Sequence, residues 1–159
     1  MNAELADRLA QLLHVRRTAA LGTLHAGAPH VSMVPYAIAD AGAGFIIHVS
    51  TLAAHTKDMQ ADPRVSLLIA EAEEAAASAL GLERVSVQAS AERIASDSPR
   101  GSELRAAYMA RFPDAEHLFG FADFSLFLLR PASARFVAGF GQAHSLSADT
   151  LAQILQRTR

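Results

Sequence analysis

The chain has 159 residues, no cysteine, and 14 basic against 16 acidic side chains for a formal net charge of −2. This suits one domain, 1–159, with a core of its own, and excludes an extended basic field for nucleic acid, a polybasic membrane patch, disulfides, and thiolate or iron–sulfur chemistry. The N-terminal stretch is not a signal peptide and no apolar run approaches the ~20 residues that cross a bilayer, so a cytoplasmic protein is expected.

From Ala3 to Val15, Leu5, Leu9, Leu12 and Leu13 recur at i, i+4, i+7 and i+8, the spacing of an amphipathic helix. Two extended runs, Arg17–Leu24 and His30–Ile38, flank the turn residues His25-Ala-Gly-Ala-Pro29 and predict a β-hairpin. In its first strand Ala19, Ala20 and Gly22 are small, so either a flat ligand or another piece of chain approaches closely there. Pro35 cannot donate to a ladder and predicts a bulge or free edge around Val34–Tyr36.

After a turn at Asp40–Gly44, Phe45–Val49 reads as a buried strand leading into a strand–helix–strand corner, residues 48–65. Ser50 or Thr51 is the expected N-cap, Leu52, His55 and Met59 share a helical face, and Asp62-Pro63 stops the helix. His55, Thr56 and Lys57 crowd the helix N-terminus, where the macrodipole already disfavours a cation. Two readings follow: a bound anion such as phosphate reverses that sign, or the helix is a plain surface element carrying a lysine.

Arg64–Ala70 is a strand, Glu71–Gly81 has no assignment, and Arg84–Ile94 alternates as a long strand. Asp97-Ser98-Pro99 opens a helix with the stripe Leu104 and Tyr108, ending near Phe112-Pro113. Asp123–Arg130 is apolar on both faces and predicts a strand covered on both sides. Pro131–Ala134 is expected to turn the chain, Arg135–Ala143 to form a strand, and Ser147 to cap a helix carrying Leu151, Ile154 and Leu155. Six or seven strands joined mostly by turns favour an antiparallel barrel.

Four segments in this order carry a resemblance: Arg17-Thr-Ala-Ala-Leu-Gly-Thr, Pro29-His-Val-Ser-Met-Val-Pro-Tyr, Ser50-Thr-Leu-Ala-Ala-His-Thr-Lys-Asp-Met, and Asp62-Pro-Arg-Val-Ser-Leu. Together they are similar to the pyridoxamine 5'-phosphate oxidase-like FMN-binding split barrels. Ala122-Asp-Phe-Ser-Leu-Phe and Val137-Ala-Gly-Phe-Gly-Gln-Ala resemble the haem utilisation branch of that superfamily. The resemblance implies a mainly β, six-stranded antiparallel split β-barrel with flanking helices, a homodimer, and non-covalent FMN at the subunit interface. It further implies that Arg17, Ala19 and Ala20 line the flavin, with Arg17 near the phosphate, and that Ser32, Met33 and Val34 face the isoalloxazine. Ser50, His55, Thr56 and Lys57 would grip the phosphate, with Val49 and Leu52 beside them, and Gln142 would reach the flavin of the other subunit.

Some features depart from the pattern. Asp58 stands where relatives commonly have Asn, and is expected to point away from a phosphate. The chain has no Trp, lacks a match to the pyridoxal-pathway substrate clamp, and stops at Arg159, whereas the haem utilisation proteins usually continue into a C-terminal α/β domain. The expected function is therefore an FMN-dependent oxidoreductase acting on an unidentified small substrate. The alternatives are a haem-binding or haem-degrading protein, or a flavin carrier or sensor without turnover. None of the seven histidines forms a spaced metal pair, and no metal is expected; His25 and His30, flanking a turn, read as solvent-exposed, while His117 or His144 is a candidate for haem iron. No catalytic side chain is assigned.

Overall fold

The computed structural model describes residues 1–75 and 78–157. Helix α1 (Ala3–Val15) is capped by Asn2, whose Oδ1 accepts from Leu5 N–H at 2.9 Å, and it buries Leu9, Leu12 and Leu13. The hairpin of β1 (Thr18–His25) and β2 (Ala28–Pro35) closes through Ala26 and Gly27, with φ of 49° and 82°. Two successive left-handed residues give the tight turn whose twist matches the flanking strands. Pro35 ends β2, and Tyr36 N–H donates instead to Arg17 O, just before β1 begins.

The remaining elements are β3 (Ala37–Ile38), β4 (Phe45–Ser50), α2 (Ala54–Ala61), β5 (Arg64–Ala70), β6 (Arg84–Ile94), α3 (Pro99–Arg111), β7 (Phe124–Val137), β8 (Ala143–Ser147) and α4 (Ala148–Leu155). The strands form one eight-stranded antiparallel sheet in the order β2-β1-β5-β6-β7-β4-β3, with β8 on β7. Since β3 has two residues and β8 five, the longer strands alone make the half-barrel of a split-barrel fold. Inside it, Leu21, Phe45, Ile47, Leu67, Val87 and Phe136 meet α1 and α4 in the main core. No described helix is long and apolar enough to cross a membrane.

Three local expectations change. Strand β7 runs unbroken through Pro131, because a bulge opposite Gln88 and Ala89 lets Ala89 pair with Pro131 and Gln88 with Ser133, so the missing proline N–H sits at an irregularity. The chain turns later, between Ala138 and Gln142, where Gly139 and Gly141 have φ of 121° and 75°; β8 then follows as a strand of its own. Helix α2 starts at Ala54 with Ala53 as an N-cap that offers no side chain, and its buried residues are Thr56, Asp58 and Met59. Leu52 lies before the helix and is exposed. In the unassigned 71–81 segment the described residues form short 3-10 turns, Glu73–Ala75 and Ala79–Gly81; residues 76 and 77 lie outside the described ones.

A second apolar cluster lies on the other side of β4 and β7. There Ile46, Leu126 and Leu128 pack against Leu104 and Tyr108 of α3 and against Phe112 and Ala115. Cover for the doubly apolar strand thus comes from the chain's own helix.

Candidate functional site

Strand alternation splits the β1–β2 hairpin into two surfaces. Ala19, Leu21 and Val34 turn into the core. Ala20 and Gly22 turn outward beside their cross-strand partners Met33 and Val31, which are 65% and 67% exposed. The outward row continues across β5 to Leu68 and Ser66, opposite Ala20 and Gly22. Gly22 keeps the floor flat: a Cβ there would come within 2.7 Å of Ser66 Oγ. At the turn end this surface deepens into a groove of about 360 Å³ lined by Leu24, Pro29, His30, Val31, Arg64 and Gln88 among others.

Polar residues gather between the hairpin and α2. Thr23 and His30 are cross-strand partners, and His25 lies two residues along the same face, so all three meet the helix. Asp58 is the hub. It is 4% exposed, accepts from Thr23 Oγ1 at 2.9 Å and from His25 Nδ1 at 2.7 Å, and has His30 Nδ1 at 3.6 Å. Burial disfavours its carboxylate, but the His25 and Thr23 hydrogen bonds and the two imidazoles outweigh that and hold its pKa below the ordinary value. One turn earlier, His55 Nδ1 shares a 3.1 Å hydrogen bond with Ser32 Oγ, while its Nε2 is buried without a partner. Burial, reinforced by His30, lowers the His55 pKa, so its imidazole is neutral at pH 7. Among the described residues no group of three or more His, Asp or Glu is arranged to hold a metal ion.

The structure divides the expected ligand residues. Ala20 and Met33 lie on the outward surface; Ala19, Val34 and Val49 are core residues. Ser32, Met33 and Val34 alternate in direction, so they do not face one flat ligand together. Arg17 donates to Arg111 O at 3.2 Å and lies over the Phe112 ring, contacts that belong to the end of α3. Gln142 is exposed at the β7–β8 turn, its backbone bonded to Ala138 and Gly139.

The residues expected at the phosphate corner make separate contacts. Ser50 Oγ donates to Asp123 Oδ2 at 2.9 Å, setting a carboxylate where a dianion was expected, and Thr56 Oγ1 donates to Ser50 O at 2.6 Å. His55 faces Ser32, and Lys57 is exposed with no side-chain hydrogen bond among the described residues. His117 bonds to Asp114 O and His144 pairs with Phe136 on β8; neither borders the groove. The expectation missed Asp58 as an organising residue and His25 and His30 as its partners. Strand parity was the available signal, since it places Thr23, His25 and His30 on one face.

Comparison with known proteins corrects the cofactor. The chain is 30% identical over 153 residues to the haem oxygenase HutZ of Vibrio cholerae, covering 95% of this chain and 86% of that protein. It is 38% identical over 117 residues to a non-canonical haem oxygenase, HOZ, of Arabidopsis thaliana, covering 74% of this chain and 34% of the plant protein. A haem binding protein from Mycobacterium smegmatis superposes with a TM-score of 0.85 at 27% identity, over 96% of this chain and 62% of that one. These relatives are named for haem, which overturns FMN as the cofactor and the FMN-dependent oxidoreductase as the main reading. The reason for setting haem aside also fails, because the chain spans most of the length of HutZ. Residues 5–138 match the family model described as pyridoxamine 5'-phosphate oxidase, and the chain belongs to that family.

Proposed function

We infer that the protein binds haem on the outward surface of β1, β2 and β5 and degrades it in the manner of a haem oxygenase. The observation that carries this reading is the flat apolar row on the hairpin, Val31 and Met33 standing two-thirds exposed beside Ala20 and Gly22. Exposed apolar surface gathered on one face marks a binding site, and a planar macrocycle matches a sheet face whose floor has no Cβ at Gly22. The kinship with HutZ and HOZ supports the chemistry.

Val31, Met33, Ala20 and Leu68 would hold the macrocycle, and Arg64, which donates Nε and Nη2 to Asp62, would meet the propionates with its remaining Nη1. When bound, haem supplies a redox-active iron that takes up oxygen. The groove is near the lower end of ligand-site volumes and open to one side. One protomer therefore supplies one wall, and a homodimer brings a second copy over the same surface; light scattering giving the mass of one chain in the presence of haem would refute that arrangement.

The decisive experiment titrates haem into the purified protein and follows the Soret band, then adds ascorbate in air. Saturable binding and Soret loss with release of iron are expected. A stable Soret band under reductant would leave binding or storage as the function, and no saturable shift would remove haem altogether.

A further inference from the structure

Strand alternation sets Thr23, His25, His30 and Ser32 on the side of the hairpin that faces α2. There His25 and His30 gather at Asp58, and His55 of α2 reaches Ser32. All three imidazoles are thus turned away from the outward row of Ala20, Gly22, Val31 and Met33. The other histidines lie on α1, on β4, in the turns of Pro113–Gly120 and on β8. Met33 is different. Its side chain is 65% exposed on the outward row, with Ala20 as its cross-strand partner and Leu68 next to Ala20 on β5. Among the described residues of that row, its thioether is the one soft donor.

We propose that Met33 Sδ is the protein's ligand to the iron of a haem held on this surface. The proposal rests on the outward row being the haem site. A macrocycle lying along the sheet has its axial positions on the normal to the sheet, and strand side chains stand roughly along that normal. A ligand must therefore rise from the row beneath. Val31 and Leu68 rise from it without a donor atom, and Ala20 and Gly22 are too short. Ser66, opposite Gly22, offers only a neutral hydroxyl. Met33 combines a lone pair on sulfur with an unbranched, adaptable side chain, and the small Ala20 beside it leaves that side chain room to lean over β1.

A purely apolar contact does not call for a thioether. Val31 supplies such a contact with a β-branched side chain, the kind that strands favour, and Met59, which serves packing alone, is 3% exposed in the main core. In the proposed role the sulfur donates a lone pair to iron in place of water on the sheet-facing side; no electron or proton changes hands. Thioether sulfur is a soft, neutral donor that favours ferrous over ferric iron, so this ligand raises the reduction potential. The far side of the iron stays open to oxygen.

The test loads wild type and Met33→Leu with ferric haem, and with ferrous haem under anaerobic conditions, and reads iron coordination and reduction potential in place of turnover. Met33→Leu keeps the size and apolar character of an exposed side chain, so the fold is retained. Iron-edge X-ray absorption should show one sulfur neighbour in wild type and none in Met33→Leu. Because the chain has no cysteine, such a neighbour comes from methionine. Met33→Leu should lose about ten-fold more affinity for ferrous than for ferric haem, which lowers the potential by about 60 mV for a one-electron couple. A third variant, Met33→His, should shift the Soret band relative to Met33→Leu, since an imidazole then stands in the sulfur's place. Saturable haem binding with no sulfur neighbour in wild type, or with a sulfur neighbour and a potential that survive Met33→Leu, would overturn the ligand and leave the haem site standing. No saturable binding by wild type would remove the function proposed above, and this ligand with it.

Discussion

Two outward surfaces of the same sheet carry similar apolar side chains and differ in what lies on them. Beyond β4 and β7, Ile46, Leu126 and Leu128 are buried under Leu104 and Tyr108 of α3 and under Phe112. Beyond β1, β2 and β5, Val31, Met33 and Leu68 remain exposed, and no element of the described chain crosses them. The first surface contributes to stability; the second is left for a ligand or another copy. An apolar strand therefore indicates that cover is required without indicating whose, and here the more hydrophobic of the two faces is the one the chain covers itself.

The largest effect that would test this contrast is at the covered surface. Leu104→Ala removes a side chain that is almost wholly buried, and a loss of about 2–5 kcal/mol is expected in urea denaturation. A loss below about 1 kcal/mol would mean that α3 is not the effective cover.

The next effect is a pH dependence confined to the same region. His48 is 8% exposed, stacks on Phe119 with ring centroids 3.9 Å apart, and has its Nδ1 buried without a partner. Burial, and then Arg105, push its pKa down from 6.5 to about 4. Between those values the unfolded chain binds a proton that the folded chain refuses, so stability is full above pH 6.5 and falls as the pH drops towards 4. The loss should be on the order of 2–3 kcal/mol, and His48→Phe should flatten it relative to wild type. Parallel curves for the two proteins would assign the acid sensitivity elsewhere.

At the open surface the expectation is inverted. Val31→Glu with Met33→Glu should leave the unfolding free energy within about 0.5 kcal/mol of wild type and weaken haem about ten-fold or more, with a shift from dimer to monomer in light scattering. A large fall in stability with haem affinity intact would sink the assignment of this face to a ligand. The smallest effect is expected at Lys57→Ala: an exposed side chain with no hydrogen bond among the described residues should change stability by less than about 0.5 kcal/mol and haem affinity not measurably.

Much of this organisation was legible in the amino-acid order. Leucine spacing located α1, the Ala-Gly turn located the first hairpin, and alternation located β6, because these follow from backbone periods that neighbouring residues share. The motif order pointed to the split barrel as well. At the expected phosphate corner, Ser50, His55, Thr56 and Lys57 are close in sequence, yet Ser50 and His55 bond to distant partners, Thr56 bonds to Ser50 O, and the Lys57 side chain bonds to none among the described residues. Ser50 is held by Asp123 and His55 by Ser32, while Lys57 stays in solvent.

By itself, then, the sequence determined α1, the first hairpin, β6, and the need to cover both faces of the apolar strand that became β7. Tertiary structure decided which surface α3 would cover, carried Pro131 through a bulge opposite Gln88 and Ala89, and brought Asp58 from a helix to the two histidines of a hairpin more than twenty-five residues earlier in the chain. The division has one cause. Local periodicity depends on each residue's own backbone and its near neighbours, whereas burial, charge pairing and access depend on which segments of a folded chain come to lie against one another.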